Sequence, residues 1–174
     1  GNFLMIRCCM DTELETMLSV INDAATAYKG VIPDDCWKEP YMSREELERE
    51  IADGITFWGF EEDGLLLGVM GIQDRGPVTL FRHAYVRTAR RNGGIGTQLL
   101  RHLEQLTDKP VLIGTWERAT WAVRFYEKNG YRVLSRAETN YLLDKYWNLP
   151  DLQIITSVVL ANAQWDSAGE DFAD

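Results

Sequence analysis

The sequence predicts an α/β chain of the α+β type. Its centre is a mixed, mostly antiparallel sheet with one parallel β-α-β crossover, flanked by helices on both faces. Three observations carry this. Positions 55–87 hold three consecutive apolar strand runs joined by the turn signals Asp63-Gly64 and Arg75-Gly76-Pro77. Positions 78–116 read as strand, helix, strand, a unit that closes by a right-handed parallel crossover. The chain has 174 residues, 45% of them apolar and 11% aromatic, enough for one filled core.

The elements follow in order. Met5 to Met10 is short and β-like, with Asp11 placed to cap a helix after it. Leu14, Met17, Leu18, Ile21, Ala24 and Ala25 recur at helical spacing, predicting an amphipathic helix that ends near Gly30. Val31 to Tyr41 contains two prolines and reads as a loop. Ser43-Arg44-Glu45-Glu46 is a capping box opening a second helix, with Leu47 and Ile51 on its buried face. The three strands of the meander come next. Ile95, Leu99, Leu100, Leu103 and Leu106 form a helical stripe before Pro110, and Val111 to Trp116 is a strand. Ala119 to Lys128 is a helix closed by Asn129-Gly130, and Tyr131 to Ser135 is a strand. The stretch to Pro150 fits neither period, and Gln153 to Leu160 reads as a final β run. Residues 1–162 are expected to be one domain, and 163–174 an acidic, loose tail.

Composition narrows the function. Net charge is −9, which weighs against nucleic acid or anionic membrane as a partner. No run approaches the roughly 18 apolar residues of a membrane helix, and the start lacks a secretory signal. Three cysteines, two of them adjacent (Cys8, Cys9), make neither a disulfide framework nor a metal site. A cytoplasmic, metal-free protein is expected. The acidic average conceals a basic island: Arg82, Arg87, Arg90, Arg91 and Arg101, with no Asp or Glu between positions 82 and 101.

Inside that island lies a glycine turn, Arg91-Asn92-Gly93-Gly94-Ile95-Gly96-Thr97, between a strand and a helix. A helix start leaves its first amides unpaired and carries partial positive charge, so it suits phosphate. Three anion readers compete for the turn. A Walker-type loop fails, because Thr97-Gln98 stands where Lys and then Ser or Thr are needed. A dinucleotide fingerprint lacks its third glycine and sits after a meander, although Glu117 lies at the spacing of a ribose-binding acid. The third is an R-x-x-G-x-G turn.

That turn resembles the acyl-CoA pyrophosphate loop of the GNAT N-acetyltransferase superfamily. It follows a strand ending Ala84-Tyr85-Val86, as in the family. A second block, Ala122-Val123-Arg124-Phe125-Tyr126-Glu127-Lys128-Asn129-Gly130-Tyr131, is similar to the family's A-x-x-F-Y-E-K-x-G-F block at the usual separation. The element order also matches, from Met5 to Leu160. One departure is visible: many members carry Asn where Ala119 stands.

The resemblance implies direct acetyl transfer from acetyl-CoA to an amine of a small molecule or peptide, without a covalent enzyme intermediate. Backbone groups of Ala84, Tyr85 and Val86 would pair with the pantetheine arm. Amides from Asn92 through Gly93, Gly94, Ile95 and Gly96 to Thr97 would hold the pyrophosphate, with Arg91 adding charge. Tyr126 would stabilise the departing sulfur. His83 lies on the strand beside the acyl site, and an imidazole there makes it a candidate base; by alternation it shares a face with Phe81 and Tyr85. Arg82 has the opposite parity and could face the acceptor, with Trp37 and Trp116 as further acceptor contacts. Family members are often dimers, so a homodimer is expected. A regulatory module that binds acyl-CoA without turnover, and a nucleotide-cofactor protein, remain as alternatives.

Overall fold

A computed structural model describes residues 3–167. The chain divides into two compact units. One comprises Gly1–Lys29, Lys38–Asp74 and Phe81–Asp108; the other comprises Gly30–Trp37, Arg75–Leu80 and Lys109–Asp174.

The first unit is built on the meander. Strand β1 (Leu4–Cys8) pairs antiparallel with β2 (Thr56–Glu62), Leu4 opposite Glu62 and Cys8 opposite Trp58. Strand β2 pairs antiparallel with β3 (Leu65–Asp74). The turn between them places Asp63 (φ +51) and Gly64 (φ +85) both in the left-handed region. Two such residues match the right-handed twist of the flanking strands, which is why Asp-Gly marks a hairpin. Strand alternation then sorts the faces. Phe57 and Val69 join the stripe of α1 (Leu14–Ala25) and Leu47 of α2 (Arg44–Ala52) in one core cluster. Trp58 points the other way, its ring 4.6 Å from His102 of α3 (Ile95–Glu104). A Cβ on Gly68 would stand 2.9 Å from Ile95 Cγ2, so α3 seats directly on β3.

Two caps differ from expectation. Asp11 opens a 3-10 turn (Asp11–Glu13) ahead of α1 instead of capping the helix. Ser43 Oγ accepts from the Glu46 amide at 3.1 Å, but the Glu46 carboxylate is taken by Lys38 and only half of the capping box forms.

The second unit carries β5 (Val111–Trp116), α4 (Thr120–Lys128), β6 (Arg132–Val133), α5 (Arg136–Tyr146), α6 (Asp151–Ile155), β7 (Ser157–Ala161) and α7 (Ala163–Ser167). Strand β7 lies between β5 and β6, antiparallel to both. The stretch that fitted neither period is helical. Ser135 caps α5 by accepting from the Glu138 amide, which leaves β6 only two residues. Thr139, Leu142, Leu143 and Tyr146 then bury one face of that helix. Pro150 precedes α6, so the final β run begins at Ser157 and not at Gln153. The hydroxyls of Thr156 and Ser157 donate to the Leu152 and Gln153 carbonyls and close that helix. Residues 163–167, expected in the tail, form α7, and Trp165 is buried with Leu112, Leu142 and Val159. Residues 168–174 lie outside the described residues.

The hydrogen-bonded strand order is β1-β2-β3-β4-β5-β7-β6, where β4 is Thr79–Val86 and the β4–β5 neighbours are the one parallel pair. This is the mixed, mostly antiparallel sheet read from the sequence. Among the described residues no helix is long and apolar enough to cross a membrane.

Gly71 is the position where the first unit tolerates least. A Cβ there would lie 2.9 Å from the Arg82 carbonyl oxygen and 2.7 Å from Ile55 Cγ2. Backbone cannot retreat as a side chain can, so Gly71→Ala is expected to lose about 1–3 kcal/mol. Urea unfolding and a fall of several degrees in Tm check this.

Candidate active site

Strand β4 delivers the chain into the glycine turn, and the turn is pinned at its start. The Arg87 amide donates to the Leu67 carbonyl at 2.8 Å, and its Nε donates to the Leu66 carbonyl at 2.9 Å. The Asp23 carboxylate of α1 accepts from the Thr88 amide at 2.8 Å and from its hydroxyl at 3.3 Å. A 3-10 turn, Thr88–Arg90, follows. Asn92 (φ +65) and Gly94 (φ +86) are both left-handed, and Gly94 is the residue on which α3 begins. A Cβ on Gly94 would meet nothing within 4 Å, so glycine is required there by conformation and not by packing.

No side chain caps α3, and its first internal bond runs from the Gln98 amide to the Gly94 carbonyl. The amides of Ile95, Gly96 and Thr97 therefore have no acceptor within the helix, and they sit at its positive end. That is the chemistry of an anion site. The basic side chains around it are engaged differently from what their clustering suggested. Arg90 forms a forked pair with Glu62 at 2.7 and 3.1 Å, and Arg101 meets Glu104 at 2.8 Å. Arg87 also reaches Ser19. These three arginines stabilise the unit's own structure, which leaves the backbone as the main source of positive potential at the turn.

The interior of β4 departs from strand alternation. His83 adopts φ +58, a left-handed conformation inside a strand. Such a residue re-aims its neighbours in the way a bulge does. Arg82 and His83, adjacent in sequence, consequently meet the same carboxylate. Arg82 Nη1 lies 3.5 Å and His83 Nε2 3.3 Å from Glu50 Oε2 of α2. Arg82 Nη1 also donates to Gln73 Oε1 at 3.3 Å, and Gln73 Nε2 donates to the Asp53 carbonyl at 3.0 Å. Arg82 is thus held inside the first unit with its side chain 14% exposed. His83 does share a face with Tyr85, their rings 6.5 Å apart and nearly parallel. The Tyr85 side chain is buried with Tyr28 in the α1–α2 cluster. Burial pushes the Glu50 carboxyl up, but His83, Arg82 and Arg49 together hold it below its ordinary range. Glu50 was not among the residues singled out from sequence. Its signal was present, since it stands three residues after buried Leu47, on the helix's inward face.

In the second unit, Tyr126 is buried on α4 against Phe125 (5.1 Å between centroids) and Tyr131 (6.1 Å). Ala119, the departure from the family pattern, is fully buried at the start of that helix and supplies no side-chain cap. Trp116 ends β5 at the wall of a cavity of about 350 Å³, lined also by Ile32, Pro33, Glu117, Arg118 and Thr156. Trp37 belongs to the same loop as Ile32 and Pro33 but does not line the cavity.

A family model described as an acetyltransferase (GNAT) domain matches residues 20–141. Solved structures with the same fold include the PaiA N-acetyltransferase of Thermoplasma acidophilum in complex with coenzyme A. It is 20% identical with a TM-score of 0.70, over 92% of this chain and 98% of that one. The ribosomal-protein-S18-alanine N-acetyltransferase of Escherichia coli is 13% identical with a TM-score of 0.66, over 92% and 93%. A GNAT family acetyltransferase of Elizabethkingia anophelis with acetyl-CoA bound is 18% identical with a TM-score of 0.61, over 91% and 97%. No curated protein sequence matches significantly. The fold and the turn define an acyl-transfer scaffold. The chain belongs to the GNAT acetyltransferase family.

The Glu50 carboxyl makes a pH signature. Because its folded value lies below its ordinary one, it adds stability that is present above about pH 4.3 and is lost as pH falls through the folded value. The stability difference between wild type and Glu50→Gln should shrink as pH falls below about pH 4.3. Urea unfolding from pH 3 to 7 measures it.

Proposed function

We propose that the protein is an N-acetyltransferase that moves an acetyl group directly from acetyl-CoA to the primary amine of a small molecule or peptide. In this reading residues 1–162 act as one cytoplasmic domain. The observation that carries it is the glycine-started helix α3, with three amides lacking internal acceptors, inside a family match that also spans the Tyr126 block. The family match runs through both units, which supports treating them as one functional domain. The free thiols of Cys8, Cys9 and Cys36 agree with a reducing compartment.

The residues present fit the cofactor. Amides from Asn92 to Thr97 hold the pyrophosphate, with Gly93 and Gly94 keeping side chains out of the way and Arg91 adding charge. Backbone groups of Ala84, Tyr85 and Val86 take the pantetheine arm. When bound, acetyl-CoA supplies the thioester. Tyr126 donates a hydrogen bond to the leaving sulfur. Full proton transfer from a phenol of pKa about 10 to a thiolate of about 8.5 is uphill by roughly 2 kcal/mol, so Tyr126 stabilises the anion by its hydrogen bond. His83 is the side chain assigned to the amine's proton. Trp116, at the wall of the second unit's cavity with Glu117 and Arg118, is kept as an acceptor contact.

A panel of amines and peptides with acetyl-CoA, read by thiol release, tests the activity. Tyr126→Phe should lower kcat about 100-fold while coenzyme A binding changes less than about twofold. Gly94→Val should weaken coenzyme A binding about tenfold or more, because a β-branched residue resists the left-handed conformation. Thermal stability unmoved by coenzyme A would overturn the reading. Binding without thiol release for any amine would favour a regulatory module.

A further inference from the structure

Glu50 and His83 share a feature that the glycine turn and Tyr126 do not account for. Glu50 Oε2 and His83 Nε2 are 3.3 Å apart, both fully buried, yet out of line for a hydrogen bond, and neither has another such partner among the described residues. The imidazole is fixed between Phe57 (5.9 Å between centroids) and Tyr85 (6.5 Å). Its backbone is left-handed at φ +58 inside a strand, a conformation rarely kept without a functional or packing reason. Arg82 holds the same Glu50 oxygen at 3.5 Å and is itself anchored by Gln73. The charged and titratable groups around the ring are Glu50 and Arg49 from α2, with Arg82 and Tyr85 from its own strand.

The geometry points to Glu50 and His83 as a carboxylate–imidazole dyad that takes the proton from the acceptor amine, with Glu50 the positioning residue and His83 the group that meets the amine. This rests on the N-acetyltransferase reading. The negative charge of a carboxylate 3.3 Å from Nε2 favours the tautomer with its proton on Nε2 and leaves the Nδ1 lone pair for the substrate. His83 also directly precedes Ala84–Val86, the segment assigned to the pantetheine arm.

The step balances. Nδ1 takes one proton from the ammonium, giving a neutral amine and an imidazolium stabilised by ionised Glu50. The amine nitrogen bonds to the thioester carbon as the C–S bond breaks. The second amine proton goes to the departing thiolate, and His83 returns its proton to solvent. The requirement depends on acceptor class. An alkylamine of pKa about 10.4 is neutral in only about 1 of 2,500 molecules at pH 7, whereas an α-amine near 7.7 is neutral in about 1 of 6. The dyad therefore suits an alkylamine acceptor, such as a polyamine or a lysine side chain.

The test compares wild type with Glu50→Gln, Glu50→Asp and His83→Gln. Readouts are coenzyme A affinity, the pH profile of kcat/KM for an alkylamine and an α-amine, and the His83 tautomer by long-range 1H–15N NMR. Only two histidines are present, so His102→Gln assigns the signals. For the alkylamine at pH 7, Glu50→Gln should lower kcat/KM about tenfold and His83→Gln about 100-fold, with α-amines affected much less. Glu50→Gln should move the acid limb of the profile down by about one pH unit. It should also remove the Nε2–H preference, and Glu50→Asp should restore part of each effect. Coenzyme A affinity should change less than about twofold. An acid limb and tautomer unmoved by Glu50→Gln, with turnover intact, would overturn the dyad alone. No thiol release from wild type with any amine would overturn the acetyltransferase reading and the proton-transfer role with it, while the tautomer still reports whether Glu50 orients the ring.

Discussion

What this chain can do with an anion depends on α3 beginning at a left-handed residue. Gly94 at φ +86 turns the chain so that the next three amides face away from any internal acceptor. A residue with a Cβ would resist that conformation, and a capping side chain would consume one of the amides. Holding the turn still matters as much as its shape. Asp23 and Arg87 tie its entry to α1 and β3, so the amides are ordered before any ligand arrives. Preorganisation of this kind removes the ordering cost that a mobile loop would impose on binding.

The charges around the turn are largely committed elsewhere. In a chain of net charge −9, an arginine-rich stretch reads as an anion magnet. In the fold Arg90 and Arg101 meet glutamates, and Arg87 meets carbonyl and hydroxyl oxygens. Their first role is structural: Arg87 and Arg90 tie the segment after β4 to β3, α1 and β2, and Arg101 pairs within α3. In the proposed function, selectivity for a diphosphate then comes mainly from directional main-chain donors, which read geometry as well as sign.

Strand β4 does two jobs with one irregularity. The left-handed His83 interrupts alternation, so two consecutive side chains reach Glu50 while the next three residues continue toward the turn. The carboxylate they share comes from α2, whose inward face is otherwise aliphatic. An acid on that face is stable because a guanidinium and an imidazole meet it there, and Gln73 fixes the guanidinium in turn. The imidazole of the proposed pair and the backbone assigned above to the pantetheine arm thus follow one another on β4, while the carboxylate comes from α2.

The sequence alone determined features governed by neighbours in the chain. Asp63-Gly64 dictated a left-handed hairpin turn, the Leu99–Leu103 stripe dictated a helix, and Arg91–Thr97 dictated an anion-ready helix start, since each depends on local torsions and spacing. It also indicated the mixed sheet, because a meander followed by strand–helix–strand permits few other topologies. Tertiary structure decided the rest. Period alone left 136–150 open, although Ser135 and the Thr139–Tyr146 stripe define a helix once there is a core to bury it. Nothing local could place β7 between β5 and β6, because strand order is set by which edges remain unpaired after the meander closes. Parity put Arg82 on the face opposite His83, yet both reach Glu50, because one left-handed torsion interrupts the alternation. The inward position of Glu50 was legible from Leu47, but its role emerged only when α2 docked on the sheet, since the meaning of a buried carboxylate lies in what it is buried against.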